Sequence, residues 1–138
     1  MKKKTVLIVE DELDMRIFIS TLLETSGYQP IMTRDGNEGM LKARDVCPDL
    51  IILDVMMPGE GGVQMYRQLK THDTLCNIPV IMLSAVARKT FSHYLNMVNA
   101  RLKQPIPEPD AYIEKPPEAE DIIKLAAALI GSHHEQRL

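Results

Sequence analysis

Five short apolar runs, each followed by apolar residues at helical spacing, constrain the fold of this chain more than any other feature. The runs are short and mostly β-branched, which is typical of buried strands. They are TVLIVE (5–10), QPIMTR (29–34), DLIILD (49–54), IPVIMLSA (78–85) and AYIEK (111–115). Because helices intervene between the strands, the sequence predicts an α/β fold with a doubly wound, five-stranded parallel sheet that five helices cover on both faces.

The five helices are predicted from apolar stripes and from their stop signals. The stripes lie in residues 15–23, 37–46, 61–72, 91–102 and 116–131. The last helix has prolines at its start and Gly131 just past its predicted end, so residues 132–138 are expected to form a frayed tail. The whole chain, 1–138, is expected to be a single domain with its core in about residues 4–131.

Composition excludes several classes of function. The net charge of −3 and the pI of about 5.8 argue against a general nucleic-acid binder. The apolar run after MKKK is too short for a secretory signal, and no stretch approaches a membrane span. We therefore expect a cytoplasmic protein in which Cys47 and Cys76 are reduced and partly buried.

Side chains with reactive chemistry follow four of the five strands. The first strand ends in Glu10, Asp11 and Glu12, and Asp54, Ser84 and Lys115 end the third, fourth and fifth. The carboxyl ends of parallel strands meet at one edge of a sheet, so these groups are expected to converge. Clustered carboxylates repel each other unless a cation joins them, and hard oxygen ligands suit Mg²⁺. An aspartate beside Mg²⁺ and an ammonium group can attack phosphorus, and the Met-Met-Pro-Gly segment after Asp54 would turn the chain away and leave it accessible.

Four segments in this order carry a resemblance to a known family. They are LIVEDE (7–12), LIILDVMMPGEGG (50–62), IPVIMLSA (78–85) and YIEKP (112–116). Together they resemble the receiver domain of two-component response regulators, in its stand-alone, chemotaxis-type form, over about residues 4–131. The resemblance implies a flavodoxin-like fold with strand order 2-1-3-4-5, an order that is known for this family.

The resemblance also implies a role for each site residue. Asp54 would be the phosphoacceptor. The implied Mg²⁺ ligands are Glu10, Asp11, Asp54 and the main-chain carbonyl of Met56. The other implied site residues are Ser84 as the switch hydroxyl, Lys115 as the phosphate contact and Tyr112 as the rotating aromatic. A cis Lys115–Pro116 bond is implied as well.

By this resemblance the chain is a phosphorylation-dependent signalling switch. It would take a phosphoryl group from a sensor histidine kinase or a phosphotransfer protein and show its state to an unidentified downstream protein. The downstream protein would read the face formed by helix 4, strand 5 and helix 5. A homodimer could form through the same face. No output domain follows Gly131, so we expect no direct contact with nucleic acid or membrane, and no enzymatic activity beyond its own phosphorylation and dephosphorylation.

Three alternatives remain open at this point. The first is a receiver-like adaptor that docks without phosphorylation, although the complete set of acids, hydroxyl and lysine disfavours it. The second is an aspartate-nucleophile phosphatase, which usually needs a second carboxylate two residues on, where this chain has Met56. The third is a flavin or dinucleotide binder, which would need a phosphate-cradling loop where this chain has Glu10 and Asp11.

The sequence departs from the family pattern in three places. Glu10 stands where many members have aspartate, so it is expected to reach the metal through water. Val86 is apolar at a position that often tunes the lifetime of the phosphoryl group. The stretch from Ser84 to Lys115 is longer than usual by roughly two and a half helical turns. We predict that this insertion lengthens helix 4 at its C-terminal end, before an extended return through Pro105, Pro107 and Pro109.

Overall fold

The computed structural model describes residues 2–55 and 61–137, with the backbone alone for Gly61 and for residues 132–137. Strands and helices alternate throughout. The strands are β1 (Thr5–Val9), β2 (Gln29–Thr33), β3 (Leu50–Asp54), β4 (Val80–Ser84) and β5 (Ala111–Glu114). The helices are α1 (Leu13–Thr25), α2 (Gly36–Val46), α3 (Gly61–Thr71), α4 (Arg88–Asn99) and α5 (Ala119–Arg137). A 3₁₀ turn, Leu75–Asn77, precedes β4.

The five strands form one parallel sheet in the order β2-β1-β3-β4-β5. This confirms the predicted fold class and the flavodoxin-like strand order. The register pairs Asp54 with Leu83 and Ser84 with Glu114. The ends of β3, β4 and β5 therefore lie side by side at one edge of the sheet.

Helices cover both faces of this sheet. Helices α2, α3 and α4 pack one face, where Met65, Tyr66 and Phe91 are among the largest buried side chains. Helices α1 and α5 pack the other face through residues such as Ile19 and Ile122. Every residue of β3 and β4 is buried, which explains why these strands read as unbroken apolar runs. The apolar run before Asp54 is thus the central part of the core.

Two predicted helix ends are wrong. Helix α4 ends at Asn99, so residues 100–110, which we call the 100–110 segment, form a loop rather than a longer helix. The apolar pattern extends to Leu102 because Leu102 still packs on the core. The amides of Arg101 and Leu102 bond the carbonyls three residues before them, Val98 and Asn99, so this turn is not α-helical. Helix α5 continues past Gly131 to Arg137, since one glycine costs a helix only about 1 kcal/mol.

Candidate functional site

Lys115 joins two buried carboxylates at the edge where the strands end. Its Nζ lies 3.0 Å from Glu10 Oε1 and 3.2 Å from Asp54 Oδ1. Glu10 is 1% exposed and Asp54 is 8% exposed. Apart from Lys115, neither of these two oxygens has a polar partner among the described residues. Three side chains from three different strand ends therefore meet, as the sequence predicted.

One ammonium group does not balance two buried carboxylates. Burial raises the pKa of Asp54, the charge of Glu10 raises it further, and Lys115 opposes both, so that it comes to about 7. Burial alone would lower the pKa of Lys115, but its bond to Glu10 and the charge of Asp54 outweigh burial and raise it. The site thus keeps Lys115 charged and leaves an excess of negative charge around Asp54.

The main chain after β1 is held in place by side chains from its own loop and from α1. Glu10 Oε2 accepts a hydrogen bond of 3.0 Å from the amide of Glu12. Arg16 Nη1 donates to the carbonyl of Glu10 at 2.9 Å and to that of Asp11 at 3.3 Å. These bonds fix the direction of the acidic loop. Arg16 was not singled out from the sequence, and only its position within one turn of the acids could have pointed to it.

The site suits a divalent cation. One carboxylate oxygen from each of Glu10, Asp11 and Asp54 lies within 4.8 Å of the other two. Asp11 is exposed, which leaves room for water in the coordination sphere that Mg²⁺ prefers to keep. The buried oxygens Glu10 Oε1 and Asp54 Oδ1 lack hydrogen-bond donors that meet good geometry, so both can accept a cation. The proposed carbonyl ligand of Met56, like the predicted Met-Met-Pro-Gly turn, lies outside the described residues.

Ser84 and Tyr112 meet at the start of the β4–α4 loop. Ser84 is fully buried, and its Oγ accepts a hydrogen bond of 2.9 Å from the amide of Val86. The Tyr112 hydroxyl donates to the carbonyl of Val86 at 2.6 Å, and its ring lies 5.5 Å from that of Phe91 on α4. Both predicted residues therefore bond the main chain of Val86, Ser84 at its amide and Tyr112 at its carbonyl. This links the β4–α4 loop to the packing of α4.

Two further features place the site. Gly62 lies against the end of β3, where a Cβ atom would overlap the main-chain oxygen of Asp54, so glycine lets α3 begin directly beside that aspartate. The Lys115–Pro116 bond is cis, as the resemblance implied. The sequence placed Gly62 in the third predicted helix but did not indicate this close approach.

Comparisons with known proteins identify the family whose sequence pattern this chain matches. A sequence model of the family described as the response regulator receiver domain matches residues 6–127. The chain is 39% identical over 129 residues to the polar-differentiation response regulator DivK of Brucella anthropi, covering 93% of this chain and 97% of that protein. It is 38% identical to the protein of the same name from Brucella ovis, over the same shares of both chains.

Solved structures show the same fold. The signal receiver domain of a signal transduction histidine kinase from Syntrophus aciditrophicus is 29% identical, with a TM-score of 0.77, over 94% of this chain and 91% of that one. The chemotaxis response regulator CheY4 of Vibrio cholerae is 23% identical, with a TM-score of 0.76, over 93% and 99%. Within the described ranges, no helix has the length and apolarity to cross a membrane.

Proposed function

The chain belongs to the response regulator receiver domain family of two-component signalling, and from this membership we propose that it is a switch set by phosphorylation of Asp54. The observation that carries the proposal is the buried contact of Lys115 with both Asp54 and Glu10. A lysine held between two carboxylates in this way can move to the oxygens of an incoming phosphoryl group. The excess negative charge of the site supports a second cation there.

The proposed reaction transfers a phosphoryl group from a phosphohistidine. An Asp54 carboxylate oxygen attacks phosphorus, the P–O bond forms as the P–N bond breaks, and the imidazole leaves with the bonding electron pair. Mg²⁺, held by Glu10, Asp11 and Asp54 and by the carbonyl of Met56, would neutralise charge on the phosphoryl oxygens. Lys115 exchanges its contact with Asp54 for one with a phosphoryl oxygen. On this proposal the chain promotes only its own phosphorylation and dephosphorylation.

We place the donor protein on α1, beside the acidic loop. Three large apolar side chains are exposed on this helix: Leu13 at 58%, Ile17 at 50% and Phe18 at 40%. They lie within two turns of Asp11, so a sensor histidine kinase or phosphotransfer protein that covers them can bring its histidine to Asp54. Exposed apolar side chains grouped on one helix are typical of an interaction surface.

We place the readout on the face of α4, β5 and α5. A cleft of about 530 Å³ there is lined by residues that include Arg88, Tyr112 and Asp121. Phosphorylation would draw the Ser84 hydroxyl and the β4–α4 loop toward the phosphoryl group. This would break the bond from Tyr112 to Val86 and change the cleft. An unidentified downstream protein, or a second copy of the chain, would read this change, and we assign the process to the cytoplasm.

Small acyl phosphates provide the test, because they need no cognate kinase. With acetyl phosphate and Mg²⁺, intact-mass measurement is expected to show one phosphoryl adduct. Asp54→Asn is expected to show none, whereas Asp45→Asn, a matched change at an exposed position on α2, is expected to keep the adduct. An adduct that survives Asp54→Asn would overturn the assignment.

The phosphorylation-independent adaptor makes the opposite prediction. If the parent protein takes no phosphoryl group from acetyl phosphate or from any purified histidine kinase tested, the adaptor is favoured. A downstream protein that binds the parent and Asp54→Asn equally well, with or without acetyl phosphate, would favour it also.

A further inference from the structure

Helices α3 and α4 and the start of the 100–110 segment carry an unusual share of the positive charge. Residues 61–72 and 86–107 contain no aspartate or glutamate, although the chain has 19 in 138 residues. The same two stretches contain six of its 16 lysines and arginines, namely Arg67, Lys70, Arg88, Lys89, Arg101 and Lys103. Five of the six are exposed and form what we call the positive flank, whereas Lys70 is half-buried with its Nζ bonded to the carbonyls of Cys76 and Ile78. Asp73, Glu108 and Asp110 lie just beyond the two stretches.

A groove with an apolar floor runs between these two helices. Its volume is about 370 Å³, and it is lined by Arg67, Tyr94, Met97, Val98, Arg101 and Leu102. Met97 is 59% exposed, which is high for a large apolar side chain. Arg67 and Arg101 are exposed at its rim, and neither forms an ion pair with any residue that the structure describes. The groove combines apolar contact area with two available guanidinium groups.

The 100–110 segment holds one end of this groove in shape. The Asn99 side chain bonds the amide and the carbonyl of Ile106, both at 2.8 Å, and Ile106 is buried in the core. Tyr66 of α3 donates to the carbonyl of Pro107 at 2.6 Å, which ties the segment to the helix across the groove. The groove is therefore formed before any partner arrives, which lowers the entropic cost of binding.

We propose that the α3–α4 groove binds an acidic, amphipathic helical segment of a partner protein. Apolar side chains of that segment would cover Met97, Val98 and Leu102. Its carboxylates would pair with Arg67 and Arg101, whose planar guanidinium groups suit bidentate contact with carboxylates. This is the helix-in-groove mode of recognition, with specificity set by charge. The site lies on the α3 side of α4 and is separate from the proposed readout cleft.

Other occupants fit the groove less well. Nucleic acid binding depends on many phosphate contacts, and an apolar floor between two arginines offers few. An anionic membrane would need a flat basic surface with apolar side chains that project outward, whereas these side chains line a concavity. A second copy of the chain would have to use an acidic surface of its own, so it would be detected as a change of oligomeric state.

The test uses the full chain and a defined probe. The probe is a synthetic helical peptide of about 14 residues, roughly four turns, with leucines on one face and glutamates elsewhere. Amide chemical shifts in the NMR spectrum are expected to change at Arg67, Tyr94, Met97 and Leu102 as this peptide is added. A peptide with lysine in place of each glutamate, and another with serine in place of each leucine, are expected to leave these shifts unchanged.

Matched variants separate the groove from general charge and hydrophobicity. Arg67→Glu and Arg101→Glu are each expected to weaken binding at least about fivefold, equivalent to about 1 kcal/mol. Lys42→Glu, the same charge change at an exposed position on α2, is expected to leave affinity unchanged. Met97→Ser is expected to weaken binding about threefold, and Leu41→Ser, at a side chain of similar exposure, is expected to have no effect. Unfolding midpoints verify that each variant is folded.

Three results would overturn the proposal. The first is the absence of shift changes in the groove at millimolar peptide. The second is binding that maps to α1 or to the cleft between α4, β5 and α5, and is insensitive to Arg67→Glu. The third is stronger binding of a short DNA duplex or of anionic vesicles at the same residues. Groove shifts that appear without peptide as protein concentration rises would instead identify a second copy of the chain as the occupant.

Discussion

At the scale of single residues, Asp54 combines burial with an incomplete balance of charge. Lys115 serves two carboxylates at once, so its single positive charge is divided between them. The result is an aspartate whose pKa lies near 7 in the absence of a metal ion. Replacing it by an uncharged isostere removes the cost of burying that charge.

We predict that Asp54→Asn changes the pH dependence of stability in metal-free buffer. The pKa of Asp54 rises from 3.8 in a free chain to about 7 in the folded protein, so the folded state holds this proton more tightly. The stabilisation that comes from this raised pKa is complete below about pH 4 and is lost as the pH rises through 7. In EDTA, the parent is expected to lose on the order of 1–3 kcal/mol relative to Asp54→Asn between about pH 5 and pH 8, measured by urea unfolding. Parallel pH profiles would contradict this, and Asp45→Asn is the control.

The positions of Glu10, Asp11, Asp54, Ser84 and Lys115 could be predicted because parallel strands bring their carboxyl ends to one edge. The sequence could not predict how Lys115 divides its contacts, because that depends on side-chain rotamers and on burial. It could not predict that Ser84 is fully buried, either. The functional roles of these residues stay predictions until phosphorylation is measured.

At the scale of elements, the end of α4 shows what a hydrophobic pattern can and cannot predict. The pattern predicted correctly that Leu102 packs on the core, because burial is what periodicity records. It predicted the helix end wrongly, because Asn99 turns its side chain to the backbone of Ile106 and the chain leaves the helix there. A side chain that competes with the backbone for hydrogen bonds is a common cause of such errors.

We predict that Asn99→Ala loosens the 100–110 segment. The change leaves the amide and carbonyl of Ile106 without their partner, and a part-buried pair of this kind is worth about 1–3 kcal/mol. Urea unfolding is expected to show this loss, and amide exchange is expected to accelerate at Ile106. Asn96→Ala, at an exposed position of the same helix, serves as the control. Equal effects of the two substitutions would show that the bonds between Asn99 and Ile106 contribute nothing to stability.

We predict that Cys47→Gly stabilises α2. Cys47 caps this helix in the left-handed region, with φ 45° and ψ 68°, and is exposed rather than partly buried as its sequence context suggested. Glycine adopts this conformation without strain, so a gain of about 0.5–1 kcal/mol is expected in urea unfolding under reducing conditions. Cys47→Ala keeps the Cβ atom and is expected to be nearly neutral. Destabilisation by glycine would show that the thiol makes contacts that matter more than the strain.

At the scale of the whole molecule, the sheet positions the side chains of Glu10, Asp54, Ser84 and Lys115 at one of its edges. Strand β3 is buried along its full length, and α3 starts against its last residue at Gly62. Strands β1, β4 and β5 bring Glu10, Ser84 and Lys115 to the same edge. The buried strands fix the main chain at this edge, whereas the side chains of Ser84 and Lys115 and the β4–α4 loop are the parts that the proposed phosphorylation would move.

We predict that Mg²⁺ raises the thermal unfolding midpoint of the parent protein by mass action. Asp11→Asn removes one charged ligand and is expected to abolish most of this increase, whereas Glu10→Gln is expected to reduce it less if Glu10 acts through water. Differential scanning calorimetry over a Mg²⁺ series measures the effect, with Asp73→Asn, at an exposed position outside the cluster, as the control. An unchanged Mg²⁺ response in Asp11→Asn would place the metal elsewhere.

The positive flank on α3 and α4 has a consequence for the kinetics of encounter. Charges act over a Debye length of about 8 Å at physiological ionic strength, so an acidic partner is oriented before any atoms touch. The acidic loop after β1 would at the same time repel that partner from the phosphoacceptor edge. The association rate constant of a partner that recognises the flank should therefore be high at low ionic strength and fall as salt is added. The dissociation rate constant should change little.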